Sequence, residues 1–295
     1  MYKELSILVV TFNRIDWLKK NLESIFNQKE KIKNIYIVNN NSTDETQKYL
    51  EELERKYNNI ITINLKENIG GAGGFYEGVR KFLEFADDNE WLSLMDDDCI
   101  LAEDFSVEIL KGNLNLNNAY IPFVYKIEDK KINPNFLKNL VKVNDNEYER
   151  DVFPFNGYTI NKNLIKKIGL PIKEYFIYSD DYEYCYRVLE NGGKNIAKKS
   201  AKIYHPTKNI RKDKRIKFLT SNELTRLGAY YGTRNPILCK IRHKKVMKYS
   251  IKKLMMINIY KIFSLICLRR FDLLILVLKG IKDGITNRVE SKGRI

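Results

Sequence analysis

Histidine and cysteine are scarce in this chain of 295 residues, with two of the first and four of the second. Cys99, Cys185, Cys239 and Cys267 are scattered without a C-x-x-C pair. That spacing excludes a disulfide framework and a structural zinc site, and a reducing cytoplasm suits lone thiols. Long hydrophobic runs are missing too. The opening MYKELSILVV is too short for the apolar segment of a signal peptide and reads as a first strand, with no export signal. Near the other end, Arg269, Arg270 and Asp272 interrupt the longest apolar stretch, so nothing reaches the ~20 apolar residues of a spanning helix. Internal repeats are absent, and no low-complexity linker precedes residue 202. What remains is a globular composition, 44% hydrophobic and 30% charged, in a chain long enough for one large or two ordinary domains.

The first hundred residues alternate two periodicities. Apolar, β-branched runs at 5–10, 35–38, 60–65 and 91–95 read as strands. Helical spacing occupies 17–26, 43–57 (opened by Ser42) and 75–85. Repeated β-α units of this length predict a mostly parallel, doubly wound sheet with its ligands at the carboxyl ends of the strands. The polar stretch 126–150 reads as an irregular or hairpin insertion.

The strand at 91–95 runs directly into Asp96-Asp97-Asp98. Three adjacent carboxylates repel one another, and a hard divalent cation such as Mn²⁺ or Mg²⁺ is the natural counter-charge. An acidic loop, or a cap for a helix over 102–111, is the plainer alternative. Between a strand and a helix lies Asn68-Ile69-Gly70-Gly71-Ala72-Gly73-Gly74. Glycines let backbone approach a ligand closely, and a helix starting near Phe75 would offer free N–H groups to an anion. The spacing is neither G-x-G-x-x-G nor a P-loop, and no lysine follows in the right place, which argues against a dehydrogenase or NTPase. A tight turn needs no ligand.

Thr11, Asn13 and Arg14 follow the first strand, and Asn39 opens an Asn-rich turn after the second. Their amides and hydroxyls can read a nucleobase edge, and Arg14 can reach a phosphate. A second acidic cluster, Asp180, Asp181 and Glu183, precedes a helix-like segment and is flanked by Tyr175, Phe176 and Tyr178. A partly desolvated carboxylate there suits a general base, although acidic residues also favour helix starts unaided. His205 at a strand end is either structural or a ligand, and His243 within Arg242-His243-Lys244-Lys245 belongs to a basic face.

Charge is unevenly placed. Residues 202–295 hold 24 Lys or Arg against 5 Asp or Glu, a local +19, which leaves −4 for residues 1–201 of a chain whose net charge is +15. Within this tail, apolar runs alternate with Lys261, Arg269, Arg270, Lys279 and Lys282. Such interleaving suits amphipathic helices in an anionic membrane interface. A helical subdomain, a dimer interface or nucleic-acid binding are the alternatives, nucleic acid being the least favoured.

Taken in order, ILVVTFNR, NNNSTDET, NIGGAGGF, MDDD, PFNG, SDDYEYCYR, the Tyr204-His205 pair and YYGTRN resemble an inverting glycosyltransferase of family 2, over roughly residues 4–236. NIGGAGGF with MDDD is most similar to its galactofuranosyltransferase-like and rhamnosyltransferase-like branch. The resemblance implies a GT-A-type, Rossmann-like α/β fold over 1–236 and a basic helical extension over 237–295. It implies that Asp96, Asp98 and His205 hold Mn²⁺ or Mg²⁺. Thr11, Asn13, Arg14, Asn39, Asn68, Gly70, Gly71, Gly74, Asp96 and Asp97 would bind a nucleotide sugar. Asp181 would be the catalytic base, with Asp180 and Glu183 positioning the acceptor. The family usually carries Asp where Asn39 stands. UDP-galactofuranose is the first expectation for the donor, and dTDP-rhamnose or a UDP-hexopyranose the second. The acceptor would be a glycan or lipid-linked glycan of cell-surface polysaccharide synthesis, met at the inner face of the membrane by a peripheral enzyme, with a homo-oligomer as one expected form. A nucleotidyltransferase is the competing enzyme class.

Overall fold

The computed structural model describes residues 3–207, 224–248 and 250–288. Three β-α units and a fourth strand open the chain: β1 (Glu4–Thr11), α1 (Ile15–Phe26), β2 (Ile35–Asn39), α2 (Thr46–Lys56), β3 (Ile60–Asn64), α3 (Gly70–Phe85) and β4 (Glu90–Asp96). All of β2, and β1 from Leu5 onward, is buried, as strands covered by helices on both faces must be. The chain continues through β5 (Ile100–Leu101), α4 (Phe105–Leu110), β6 (Ala119–Lys126), α5 (Pro134–Leu137), β7 (Val141–Lys142), β8 (Glu147–Glu149), β9 (Asn156–Asn161), α6 (Lys162–Ile168), α7 (Asp180–Glu190) and β10 (Asn195–His205). Three helices follow, α8 (Arg226–Arg242), α9 (Ile251–Cys267) and α10 (Phe271–Ile285).

The strands form one sheet in the order β3-β2-β1-β4-β9-β6-β10-β8-β7, with β5 on β10. β1, β2, β3 and β4 pair in parallel, as do β6 and β10, whereas β9 runs antiparallel between β4 and β6. The expected α/β sheet flanked by helices is therefore present. The stretch 126–150 contributes α5 and the β7–β8 hairpin, which extends the sheet past β10.

Helix starts differ from the sequence expectation. α2 begins at Thr46 rather than residue 43, because Asp44, not Ser42, takes the Thr46 N–H. Ser42 Oγ instead accepts from the Asn13 N–H of the neighbouring loop. α4 starts at Phe105 rather than 102, since Ala102 N–H is committed to Lys202 on β10.

α3 begins at Gly70, so the glycines expected as a ligand loop belong to the helix itself. A Cβ on Gly74 would stand 2.5 Å from Val10 Cγ1, and one on Gly78 would overlap Leu8. These glycines let α3 lie close on β1. The domain boundary expected at 236/237 falls inside α8. One small core joins Ala72, Tyr175 and Tyr186 to Leu238 and Cys239 of α8, and another joins Tyr230 and Tyr231 of α8 to Leu265, Leu273 and Val277. α8 is thereby packed on both the catalytic region and the terminal helix pair.

Candidate active site

β1 and β4 lie side by side with Val10 opposite Asp96, while β2 and β3 continue to one side and β9 to the other. Such a reversal of strand order opens a crevice at the carboxyl ends. Thr11 and Arg14 arrive there from β1, and the three aspartates from β4. Thr11 Oγ1 donates to Asp97 Oδ2 at 2.7 Å. Arg14 spans the other two oxygens, Nη1 to Asp97 Oδ1 at 2.9 Å and Nη2 to Asp98 Oδ2 at 2.8 Å. Arg14 is thus spent on carboxylates here, whereas a free phosphate-binding side chain was expected. Antiparallel pairing of Tyr204 with Ile100 carries His205 to the far side, its Nε2 3.1 Å from Asp98 Oδ1.

The three carboxylates divide by environment. Asp96 is exposed to the cleft, whereas Asp97 and Asp98 are 2% and 8% exposed. Crowding by the cleft walls, then the charges of Asp98 and Asp97, push Asp96 up to about 7. Burial raises Asp97 to about 6 against the pull of Thr11 and Arg14. For Asp98 burial is outweighed by His205 and Arg14, which hold it down at about 2.

One feature tests whether a cation fits. Asp98 Oδ1 is buried, and the one group near it is His205 Nε2 at 3.1 Å, off the line of a good hydrogen bond. His205 Nδ1 lies 2.9 Å from the Pro206 carbonyl, a bond it can make only by donating. Asp98 favours the protonated ring here, but a cation taking the place of the Nε2 proton would meet a lone pair there, as in a metal-ligating histidine held by its other nitrogen. Cys99 Sγ shares this 4.8 Å cluster. Burial lifts that thiol well above its usual range, and it faces Asn156 Oδ1, so it is no ligand for a hard cation. Asp98 and His205 thus offer a carboxylate and an imidazole to one cation, a donor set that fits Mn²⁺ or Mg²⁺, with Asp96 two residues before Asp98 at the end of β4.

Opposite the triple aspartate, the start of α7 supplies Asp180 and Asp181. A cleft of about 400 Å³ joins the two clusters, lined among others by Gly71, Phe75, Asp96, Tyr178, Asp180 and Asp181. Burial pushes Asp180 up to about 6, and burial with the Asp180 charge pushes Asp181 well above the carboxylate range. A carboxylate so placed is matched to accept a proton near neutral pH. The preceding loop holds Phe176, Tyr178 and Ser179 at φ of +60°, +70° and +64°. Non-glycine residues at positive φ are strained, and they cluster at functional sites.

Several expected contacts are corrected. Glu183 does not face the acceptor: it is 2% exposed, bound by Arg187 Nε and Nη2, and 3.2 Å from His243 Nε2. The Glu183/Arg187 spacing of four on a helix is the signal that could have found this pair. His243, expected on a basic face, is 5% exposed between Glu183 and Glu190 because α8 packs on α7. Asn39 is 2% exposed, donating to Asn64 Oδ1 and accepting the Ser42 N–H, so its amide is engaged within the fold. Asn13 Oδ1 accepts from Thr43, and Asn68 Oδ1 accepts the Gly70 N–H, so both shape loops at the rim. Gly70, at φ +78°, lies against the Phe176 carbonyl, and Gly74 packs on β1. Of the three expected glycines only Gly71 is open to the cleft, with nothing within 4 Å of its Cβ position.

Comparison with known proteins agrees with this geometry. Residues 6–187 match the family model "Glycosyl transferase family 2". Mannosyltransferase PcManGT from Pyrobaculum calidifontis, solved with GDP-Man and Mn²⁺, superposes with a TM-score of 0.59 at 13% identity, over 97% of this chain and 76% of that one. GalNAc-T7, solved with UDP, GalNAc and Mn²⁺, gives 0.58 at 13% identity over 85% of this chain, which spans only 53% of GalNAc-T7. TarS from S. aureus, residues 1–349 with UDP, gives 0.52 at 15% identity, over 96% and 88%. No curated protein matches. At these identities the structures establish a shared glycosyltransferase fold, and the family model covers more than half of the chain. The chain is a glycosyltransferase and belongs to glycosyl transferase family 2.

Proposed function

We propose that the chain moves a sugar, with inversion, from a nucleotide-sugar donor to a hydroxyl of a glycan or lipid-linked glycan. The observation that carries this is the cleft lined by Asp96 on one side and by Asp180 and Asp181 on the other, with the Asp98/His205 pair just beyond Asp96 along the chain from β4. The donor diphosphate would lie over the carboxyl ends of β1 and β4, with Gly71 leaving it room. Asp96, Asp98 and His205 would hold a divalent cation, which when bound offsets charge on the departing nucleoside diphosphate. Asp181 takes the acceptor hydroxyl proton as that oxygen attacks the anomeric carbon and the carbon–phosphate-oxygen bond breaks. Asp180 keeps the Asp181 proton affinity high. No covalent enzyme intermediate is needed, and the thiols of Cys99 and Cys185 are buried and hard to ionise.

UDP-galactofuranose is the donor we put first, on the motif likeness alone. Thermal stability measured with UDP-galactofuranose, UDP-galactose, dTDP-rhamnose and GDP-mannose, each with Mn²⁺, tests it, because a bound ligand raises apparent stability by mass action. A shift with none of the four would overturn nucleotide-sugar use.

The terminal helices favour an anionic membrane surface at the cytoplasmic face. No described helix is long and apolar enough to cross a bilayer. Yet Met256, Ile259, Tyr260 and Phe263 of α9, with Phe271 and Ile275 of α10, are 55–66% exposed. The four on α9 fall at helical spacing on one face, and so many exposed large apolar side chains suit an interaction surface. The surrounding sequence is rich in Lys and Arg, which suits acidic headgroups. Residues 208–223 and 289–295, which carry part of the basic tail, lie outside the described residues.

A further inference from the structure

Asp180 and Asp181 begin α7, so their direction is set by the loop before it, and that loop is strained at three of its four residues from Phe176 to Ser179. Left-handed backbone costs an L-residue energy and persists only where surroundings over-determine it. The restraints come from two sides. From α3, Ala72 N–H donates to the Phe176 carbonyl at 3.1 Å. From α8, Asn235 Nδ2 stands 2.9, 2.9 and 2.8 Å from the carbonyls of Tyr175, Ile177 and Tyr178. One fully buried amide therefore serves three carbonyls of the strained segment.

The orientation of that amide is itself determined. Arg234 Nε donates to Asn235 Oδ1 at 2.9 Å, which leaves Nδ2 toward the loop, and Arg234 Nη2 donates to the Glu174 carbonyl at 2.5 Å. Arg234 is 0% exposed, with Tyr230 and Tyr231 rings 5.2 and 4.8 Å from its guanidinium carbon. The grip continues along the same face of α8 at intervals of four: Cys239 Sγ reaches the Ser179 carbonyl at 3.7 Å, and His243 meets Glu183 on α7.

We infer that Asn235, oriented by Arg234, is a positioning residue that holds residues 175–179, with Phe176, Tyr178 and Ser179 at positive φ, in place and so aims Asp180 and Asp181 into the cleft. The inference rests on the proposed role of Asp181. Asn235 touches neither the cleft-lining residues' free carboxylates nor any reacting atom, and acts through the loop.

The test replaces Asn235 with Leu, close in volume and a better helix former. With whichever panel donor the wild type turns over, kcat should fall by about 10- to 100-fold, the scale of a small misplacement of catalytic groups. The Kd for UDP with Mn²⁺ should not change. Amides 176–181 should exchange hydrogen faster in the variant, a readout that needs no turnover. Adding Ser179→Gly, which lets the left-handed conformation form at little cost, should return part of the lost kcat. Asn235→Ser, keeping one donor, should give an intermediate loss and decides the matter should the leucine variant not fold. Unchanged kcat and exchange, or no recovery with Ser179→Gly, would overturn the inference. A wild type that transfers no sugar would instead overturn the proposed function, and the exchange arm would still judge the loop.

Discussion

Asp98 and Asp181 differ in how the fold treats their charge. Asp98 is held ionised by His205 and Arg14, and Asp181 is kept hard to ionise by burial and Asp180. The first suits a cation ligand and the second a proton acceptor. Asp98→Ala should therefore abolish the Mn²⁺-dependent part of UDP binding. Titration calorimetry with and without Mn²⁺ checks this, and equal affinities for UDP in the variant and the wild type would refute it. Asp181→Asn should preserve fold and UDP binding and lower turnover by ~10²-fold or more. Near-normal turnover would pass the role to Asp180. Glu183 is no alternative, since Arg187 and His243 occupy its carboxylate.

At the scale of elements, the contact of α7 with α8 is a charged one. His243 lies 3.2 Å from Glu183 Oε1 and 2.9 Å from Glu190 Oε2, stacked at 5.7 Å on Tyr186. Arg187 also faces Glu183, from within α7. Burial works against the imidazolium, yet Glu183 and Glu190 raise its pKa above the usual 6.5. The sign follows from the raised value. The folded chain holds this proton more tightly than the unfolded one, so the stabilisation is complete below about pH 6.5 and fades as pH rises through the higher folded value. His243→Gln should cost about 1 kcal/mol, or roughly 2–4 °C in Tm, near pH 6 and progressively less toward pH 9. Melting curves of both proteins across that range decide, and a gap that widens with pH would contradict the assignment.

For the whole molecule, charge separation alone suggests that residues 246–295 could be removed without touching the donor site. The packing says otherwise. Gly280 and Gly284 of α10 lie against Tyr230, Thr233, Arg234 and Ile237 of α8, and Tyr230 donates to Asp283 at 2.7 Å. Removing α10 would strip the outer face of the helix that carries Asn235, so truncation should impair turnover as well as any membrane contact. Paired substitution on the open face separates the two effects. Tyr260→Glu with Phe263→Glu, at side chains 66% exposed, should release the protein from anionic liposomes and leave Tm and UDP binding unchanged. Co-sedimentation at low salt is the check. Wild-type protein that stays in solution would overturn the membrane reading and leave a helical subdomain or a dimer interface.

The β-α alternation, the strand running into Asp96-Asp97-Asp98 and the acidic start of α7 are local patterns, and periodicity and charge along the chain were enough to read them, together with the family they resemble. Contacts between distant segments leave no such trace. Nothing near Asn235 in sequence indicates that its amide meets carbonyls 57–60 residues away, and nothing around His243 signals burial against α7. The glycines at 70–74 are visible in the sequence, but whether they cradle a ligand or let a helix lie on β1 depends on how closely α3 approaches Val10 and Leu8. Side-chain type and spacing determined which chemistry the chain contains. Packing decided which of those groups are spent on holding the fold, because a polar group engaged by a buried partner is no longer free for a substrate.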